Sequence, residues 1–232
     1  MIEAPPLLTI KRPSRRPSDA QIAAFQNAPT GYVVDAMMGG GALSSQIQPI
    51  GDGRDIHCRA AGPALTVDCG PGDILALSAS LGSITQGDIV ISAFGGHQGC
   101  AQAGDRITAM MKNCGAAGFV TDGPARDYDG IVKVGLPFWC TGLTPNTPYG
   151  NGPGRVGLPI QIGRQEVETG DMIIADRDGV VIVPFERIDE IAAKLAEVTM
   201  LELALDEEVD AGLKIPPAIA ELLRSGQVKY VE

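Results

Sequence analysis

The most chemically suggestive pattern in the chain is Asp105, a gap of twenty residues, and then the pair Arg126 and Asp127. Carboxylates can hold a hard cation or accept a proton, and a guanidinium grips carboxylate or enolate oxygens. Asp105 closes the stretch FGGHQGCAQAGD at 94–105, which follows an apolar run and precedes a helix-like one. Free backbone N–H groups and the helix dipole at such a junction favour a carboxylate or phosphate. The stretch is not a Walker loop, because no Gly-Lys-Ser/Thr follows, and it lacks the GxGxxG spacing. Read by itself, a loop that needs glycine for its turns explains it at least as well. Arg126 and Asp127 close TDGPARD at 121–127, with Asp129 two residues on. That is a strand exit, where ligand sites of α/β units collect. There the guanidinium suits the carboxylate or enolate oxygen of a 2-oxo acid and the aspartate suits a cation, while a surface ion pair of little energetic worth is the alternative. The intervening helix, turn and strand would bring Asp105 and the Arg126–Asp127 pair to one edge. A single carboxylate ligand leaves most of an octahedral Mg2+ shell to water and substrate, which chelation of a 2-oxo acid requires.

The elements that must position these groups are short and punctuated by 30 glycines and 17 prolines. Residues 1–17 read as an extended or disordered arm and 18–232 as a single domain. Ser18 and Asp19 cap a helix to about 26, and 35–38 starts another before the flexible Gly39–Gly41. Strands are expected at 60–67, 73–78 and 88–93, with a short helical stretch at 80–85. The segment 105–114 sets Ile107, Met110, Met111 and Cys114 on one helical face, and 118–122 returns as a strand. Strands at 137–141, 158–162, 172–175 and 180–183 follow with hairpin-like turns. Apolar residues recurring every three or four positions then predict a long acidic amphipathic helix over 185–211, and a shorter helix over 217–224 closes the chain. Parallel and antiparallel signals together predict an α/β fold of layered mixed sheets with flanking helices and a swivelling-domain character.

Composition narrows the partners. The chain has 232 residues, enough for one sizeable core without disulfides or structural metal. Its 18 basic against 28 acidic residues give a net charge of -10, which repels phosphate backbones and anionic headgroups. The one basic cluster, Lys11, Arg12, Arg15 and Arg16, is broken by Pro13 and Pro17, so neither nucleic acid nor membrane is an expected partner. Five cysteines without a CxxC pair and two histidines argue against a zinc cage and for reduced thiols. Glu3, Pro5 and Pro6 stand where a signal peptide would be basic and then apolar, so the expected location is the cytoplasm.

Asp105, the twenty-residue gap, Arg126–Asp127 and their glycine setting (Gly104, Gly115, Gly118, Gly123) resemble the class II pyruvate aldolases. Those enzymes cleave 4-hydroxy-4-methyl-2-oxoglutarate and 4-carboxy-4-hydroxy-2-oxoadipate. The pattern also resembles their relatives, the RraA regulators of ribonuclease E. The likeness runs from about Gly31 to the C-terminus, through Gly170–Asp171, ADRDGVVIVP at 175–184 and LLRSG at 222–226. It implies a swivelling β/β/α fold of the RraA-like type in homotrimers or hexamers, with each active site at a subunit interface. It implies that Asp127 ligates Mg2+ or Mn2+, that Arg126 contacts the pyruvoyl carboxylate and enolate oxygen, and that Asp105 holds or activates a water on the metal. Backbone around Gly104, Asp105, Arg106 and Ile107 would cradle the substrate. Glu202, ten residues before Gly212, falls at the position of a glutamate that completes a neighbouring subunit's site, although a solvated face carrying Glu197, Glu207 and Glu208 explains it as well.

Regulators without aldolase activity typically lack the first aspartate, and Asp105 is present. The resemblance therefore implies a metal-dependent lyase releasing pyruvate, with oxaloacetate decarboxylation as a side activity through the same enolate. A regulator binding ribonuclease E, or a dedicated oxaloacetate decarboxylase, is the alternative. Ile74, where relatives carry a polar Asn, and Arg106, where they carry an apolar residue, depart from the pattern and bear on substrate identity. His97 in the glycine loop, His57, Trp139 and Cys100 read as structural before they read as chemical.

Overall fold

The continuous apolar run near residue 90 is the spine of the structure, because a strand buried on both faces has no polar alternation to show. In the computed structural model, which describes residues 6–231, it forms strand β4 (Ile89–Ala93) with every residue buried. The strands in chain order are β1 (Leu8–Ile10), β2 (Gln48–Pro49), β3 (Ala60–Asp68), β4, β5 (Gly118–Thr121), β6 (Phe138–Cys140) and β7 (Gly154–Val156). β8 (Ile160–Ile162), β9 (Gln165–Val167), β10 (Met172–Ala175) and β11 (Val180–Val183) follow. The helices are α1 (Asp19–Phe25), α2 (Thr30–Ala36), α3 (Leu75–Ser80), α4 (Asp105–Asn113), α5 (Tyr128–Val134), α6 (Ile188–Asp210) and α7 (Pro217–Arg224).

One nine-stranded mixed sheet runs β1-β7-β3-β4-β5-β6-β2, with the β10–β11 hairpin branching from β3. The long β3 is what makes the branch possible. Its first half, Ala60 to Pro63, pairs antiparallel with β10, and its second half, Ala64 to Asp68, pairs parallel with β4. Two cores result. The larger lies under the parallel strands around Trp139, Phe119 and Phe138. The smaller lies between the hairpin and α1, α2 and α6, around Phe25, Ile174, Val183 and Ile191. Trp139 is fully buried and its indole N–H donates to the Asp176 carbonyl at 2.8 Å, so it is a packing residue.

The parallel core β3-β4-β5-β6 is built from three consecutive strand–helix–strand crossovers through α3, α4 and α5. Such connections place the strand ends and the following helix starts along one rim. The chain thus reaches Asp105 and Arg126–Asp127 on the carboxyl side of β4 and β5.

Several local expectations are corrected. The segment 73–78 is a turn and helix α3, not a strand: the Asp73 carboxylate accepts from Leu75 N at 2.8 Å and from Asn151 N at 2.6 Å, which folds the chain back on itself. The helix expected to start at Asp35 starts at Thr30, whose N–H and hydroxyl both donate to Asp176 at 2.9 and 2.7 Å. That cap comes from 146 residues away and has no local signal. Gly41 is no mobile link, because its carbonyl accepts from Ile182 N at 2.9 Å and a Cβ there would meet the Ile182 carbonyl at 2.7 Å.

The arm, where described, is ordered. β1 pairs with β7, Arg16 pairs with the buried Asp88, and Arg15 bonds Glu168 at 2.8 Å, Glu186 and Asp171 while lying over the Phe185 ring. Burial pushes the Asp88 and Asp171 carboxyls above the usual range, and the two arginines work against that shift. The basic cluster is thus partly spent on the protein's own carboxylates. Among the described residues no helix is long and apolar enough to cross a membrane.

Candidate active site

The loops leaving β4 and β5 are laced together by backbone pairing. Gln102 N donates to the Pro124 carbonyl at 2.8 Å, Arg126 N to the Ala103 carbonyl at 3.0 Å, and Ala125 N to the Gly142 carbonyl at 2.8 Å. Beneath them Gln102 is 1% exposed, donating to Ser92 Oγ of β4 at 2.8 Å and accepting from the Thr121 hydroxyl of β5. An apolar replacement there would orphan buried hydroxyls at a cost of about 1–3 kcal/mol each. Asp122 ties the glycine loop by accepting from the Phe94 and Gly96 amides, and burial pushes its carboxyl up.

On this rigid base α4 begins. Gly104 is its N-cap with extended backbone, and the first intrahelical bond is Thr108 N to the Gly104 carbonyl at 3.1 Å. The amides of Asp105, Arg106 and Ile107 therefore have no intrahelical acceptor, the arrangement that receives an anion. Gly104 is required by crowding and not by its dihedrals: a Cβ would sit 2.5 Å from Asp127 Oδ2 and 3.2 Å from Arg126 Cγ. Asp127 caps α5 in the left-handed region at φ 60°, a conformation that costs a non-glycine residue energy and recurs at functional sites. The Arg126 guanidinium lies 3.5 Å from Asp127 Oδ2 and donates to Thr147 Oγ1 at 3.0 Å. Asp105 is seated against α5 at Gly130, where a Cβ would come within 2.5 Å of the Asp105 Cβ.

Gly104, Asp105, Arg106, Ile107, Arg126 and Asp127 all line one open cavity of about 610 Å3. The three groups singled out from the sequence therefore line the same open cavity. Glu202 does not line it. It is partly exposed on α6, close enough to α2 that it and Asp206, after burial itself, push the Tyr32 phenol up. His97 packs edge-on to Phe94 at 5.5 Å and borders Gly72 and Gly99, outside the cavity lining. Burial pushes the Cys100 thiol up, away from a reactive thiolate. Sequence reasoning missed Gln102, Thr147 and Gly130. Gln102 sits in the glycine stretch as an amide among small residues, and only its burial marks it. Thr147 arrives from the loop after β6, which carries no motif.

A family model described as RraA-like, Aldolase/RraA, matches residues 30–182. The chain belongs to the RraA-like family. A relative from Halalkalibacterium halodurans, named provisionally as a 4-hydroxy-4-methyl-2-oxoglutarate aldolase, is 34% identical over 163 residues, 70% of this chain and 76% of that one. Among solved structures, the RraA-like fold is shared with an uncharacterised protein of Pseudomonas syringae pv. tomato (TM-score 0.73, 21% identity, 86% of this chain and 96% of that one). It is shared as well with RraAS2 of Streptomyces coelicolor, described as an unusual member of the RNase ES inhibitor RraA family (TM-score 0.72, 25% identity, 83% and 100%). The RraA-like match runs from α2 into β11 and so includes Asp105, Arg126 and Asp127.

Proposed function

We propose that this chain is a divalent-metal-dependent pyruvate aldolase cleaving 4-hydroxy-2-oxo acids such as 4-hydroxy-4-methyl-2-oxoglutarate or 4-carboxy-4-hydroxy-2-oxoadipate. The observation that carries the reading is the single cavity lined by Asp105, Arg126, Asp127 and the amide-rich start of α4. Among the described residues no three His, Cys, Asp or Glu side chains gather into a cage, so a buried structural cation has no donor set. A half-exposed hard carboxylate on Asp127 fits instead a cation that keeps most of its shell for water and substrate. Held by Asp127, Mg2+ or Mn2+ would supply Lewis-acid stabilisation of the charge that develops on the 2-oxo and carboxylate oxygens.

The chain's own groups do the rest. The free amides of Asp105, Arg106 and Ile107 receive a substrate carboxylate, and Arg126 places its charge on the enolate oxygen as the C3–C4 bond breaks. Asp105, through a water that it orients, takes the C4 hydroxyl proton and returns a proton to C3 of the enolate to give pyruvate. Glu202 of the partner subunit completes that proton path in a homotrimer or hexamer whose sites lie between copies. Exposed Met200, Leu201 and Leu203 on the same helix support such an association. Oxaloacetate decarboxylation follows as a side activity because it passes through the same enolate.

The test is a lactate-dehydrogenase-coupled pyruvate assay on both substrates. Chelator is expected to abolish turnover and Mg2+ or Mn2+ to restore it. Among the described residues no lysine lines the cavity, so borohydride should trap nothing; a trapped Schiff base would sink the mechanism. A second reading, a non-catalytic regulator of ribonuclease E, draws on the likeness to RraAS2. Capture of the ribonuclease together with no pyruvate release would favour it.

The crowding at Gly104 gives a further expectation. In Gly104→Ala the methyl group would displace Asp127 and Arg126, and kcat/KM is expected to fall about 10–100-fold by misplacement alone. Unfolding temperature, measured beside the kinetics, should change little because the backbone there is extended and open to any residue.

A further inference from the structure

On the reading just given, we propose that Arg106 is the specificity residue that selects substrates bearing a second carboxylate at the distal end. Arg106 is exposed at the second position of α4 and lines the cavity together with Ile107 and Met110. The spacing is that of one helical stripe, so Arg106 and Met110 lie one turn apart on the cavity face. Position 106 is an unfavourable place for a cation, since the positive end of the helix dipole lies there. Asp105 is the first turn's acidic residue, but among the described residues Arg106 makes no salt bridge and no side-chain hydrogen bond, and the positions three and four residues on are Ala109 and Met110.

The rest of the lining sharpens the point. Ile74, Ser78 and Pro148 in the same lining bring no carboxylate. The cavity's own carboxylates are engaged in the proposed chemistry, Asp127 beside Arg126 at 3.5 Å and Asp105 against α5. Arg126 is likewise committed, to Asp127 and Thr147. With Arg126 assigned to the enolate, Arg106 is the lining cation, among the described residues, left for the substrate's distal end. A guanidinium presents donors in a fixed fork that matches a carboxylate, and one beyond the reacting end would read the far terminus of a dicarboxylic 4-hydroxy-2-oxo acid. With the apolar Ile74 and Met110 beside it, a substrate that ends in a neutral group gains nothing from Arg106 and leaves it unpaired.

The experiment compares cleavage of 4-hydroxy-4-methyl-2-oxoglutarate, which has a distal carboxylate, with that of 4-hydroxy-2-oxopentanoate, which ends in a methyl group. Wild type, Arg106→Leu and Arg106→Lys are assayed for pyruvate release. Calorimetry measures binding of the unreactive 2-oxoglutarate and of 2-oxobutyrate, and light scattering reports the oligomeric state. Arg106→Leu, which keeps the backbone amide at 106, is expected to lower kcat/KM on the dicarboxylate about 10–100-fold, as loss of a charge-assisted hydrogen bond does, and the monocarboxylate rate by much less. Binding of 2-oxoglutarate should weaken by a similar factor and that of 2-oxobutyrate should hold, with Arg106→Lys in between. Equal loss on both substrates, no loss on either, or dissociation of the oligomer would overturn the assignment. Failure of the wild type to cleave either substrate would instead overturn the aldolase reading, and calorimetry would still report whether Arg106 discriminates the two acids.

Discussion

Asp105→Asn is expected to cut aldol cleavage by about 100–10,000-fold in kcat, the usual worth of a positioned acid–base group, while leaving KM for the 2-oxo acid little changed. The substitution keeps the shape that packs against Gly130 and removes only the basicity, so the thermal midpoint should hold. The discriminating readout is the comparison of two reactions. Cleavage of a 4-hydroxy-2-oxo acid requires removal of the C4 hydroxyl proton. Decarboxylation of oxaloacetate has no such proton to remove and shares only the enolate and its protonation. The variant should therefore lose much more of the first activity than of the second. Equal losses would mean that Asp105 organises the site without serving as the base.

The parts of the fold that were legible in the sequence are those whose signal is local. Continuous apolar runs gave β4, β10 and β11, and Ser18 with Asp19 marked the start of α1, where the structure adds a capping box between Ser18 and Gln21. The three-to-four repeat marked α6, although only its first half is buried, by Ile188, Ile191 and Leu195. What failed was set by distant partners. Helix α2 is capped by Asp176, and Asp73 bends its segment by binding residues near 151. Helix α5 was missed because its cap, Asp127, is left-handed and follows a loop that reads as a site. The same asymmetry holds at the site. Asp105 and Arg126–Asp127 are separated by one crossover unit, so their convergence follows from topology. Thr147 depends on where the loop after β6 comes to lie, and Gly130 on how closely α4 and α5 approach, and neither is written in nearby residues.

Arg126→Ala is expected to lower kcat/KM by about 100–1,000-fold on the aldol substrate and on oxaloacetate alike, the scale of losing one preorganised donor to a developing oxyanion. Both reactions share the enolate, so unlike the Asp105 variant this one should not separate them. Arg126→Lys should recover part of the loss, because it restores the charge but not the fork that reaches Thr147. A structural objection can be tested in the same series. Arg126 stands 3.5 Å from Asp127 Oδ2, so one could argue that it merely holds the metal-binding carboxylate in place. Electrostatics gives that objection the opposite sign from the enolate role. Removing a cation beside Asp127 lowers the repulsion felt by a divalent ion there, so the Mg2+ or Mn2+ concentration giving half-maximal rate should fall or stay level in Arg126→Ala. If that concentration rises instead, and saturating metal restores the rate, the arginine acts by positioning Asp127. If the rate stays low at saturating metal, its charge acts on the substrate.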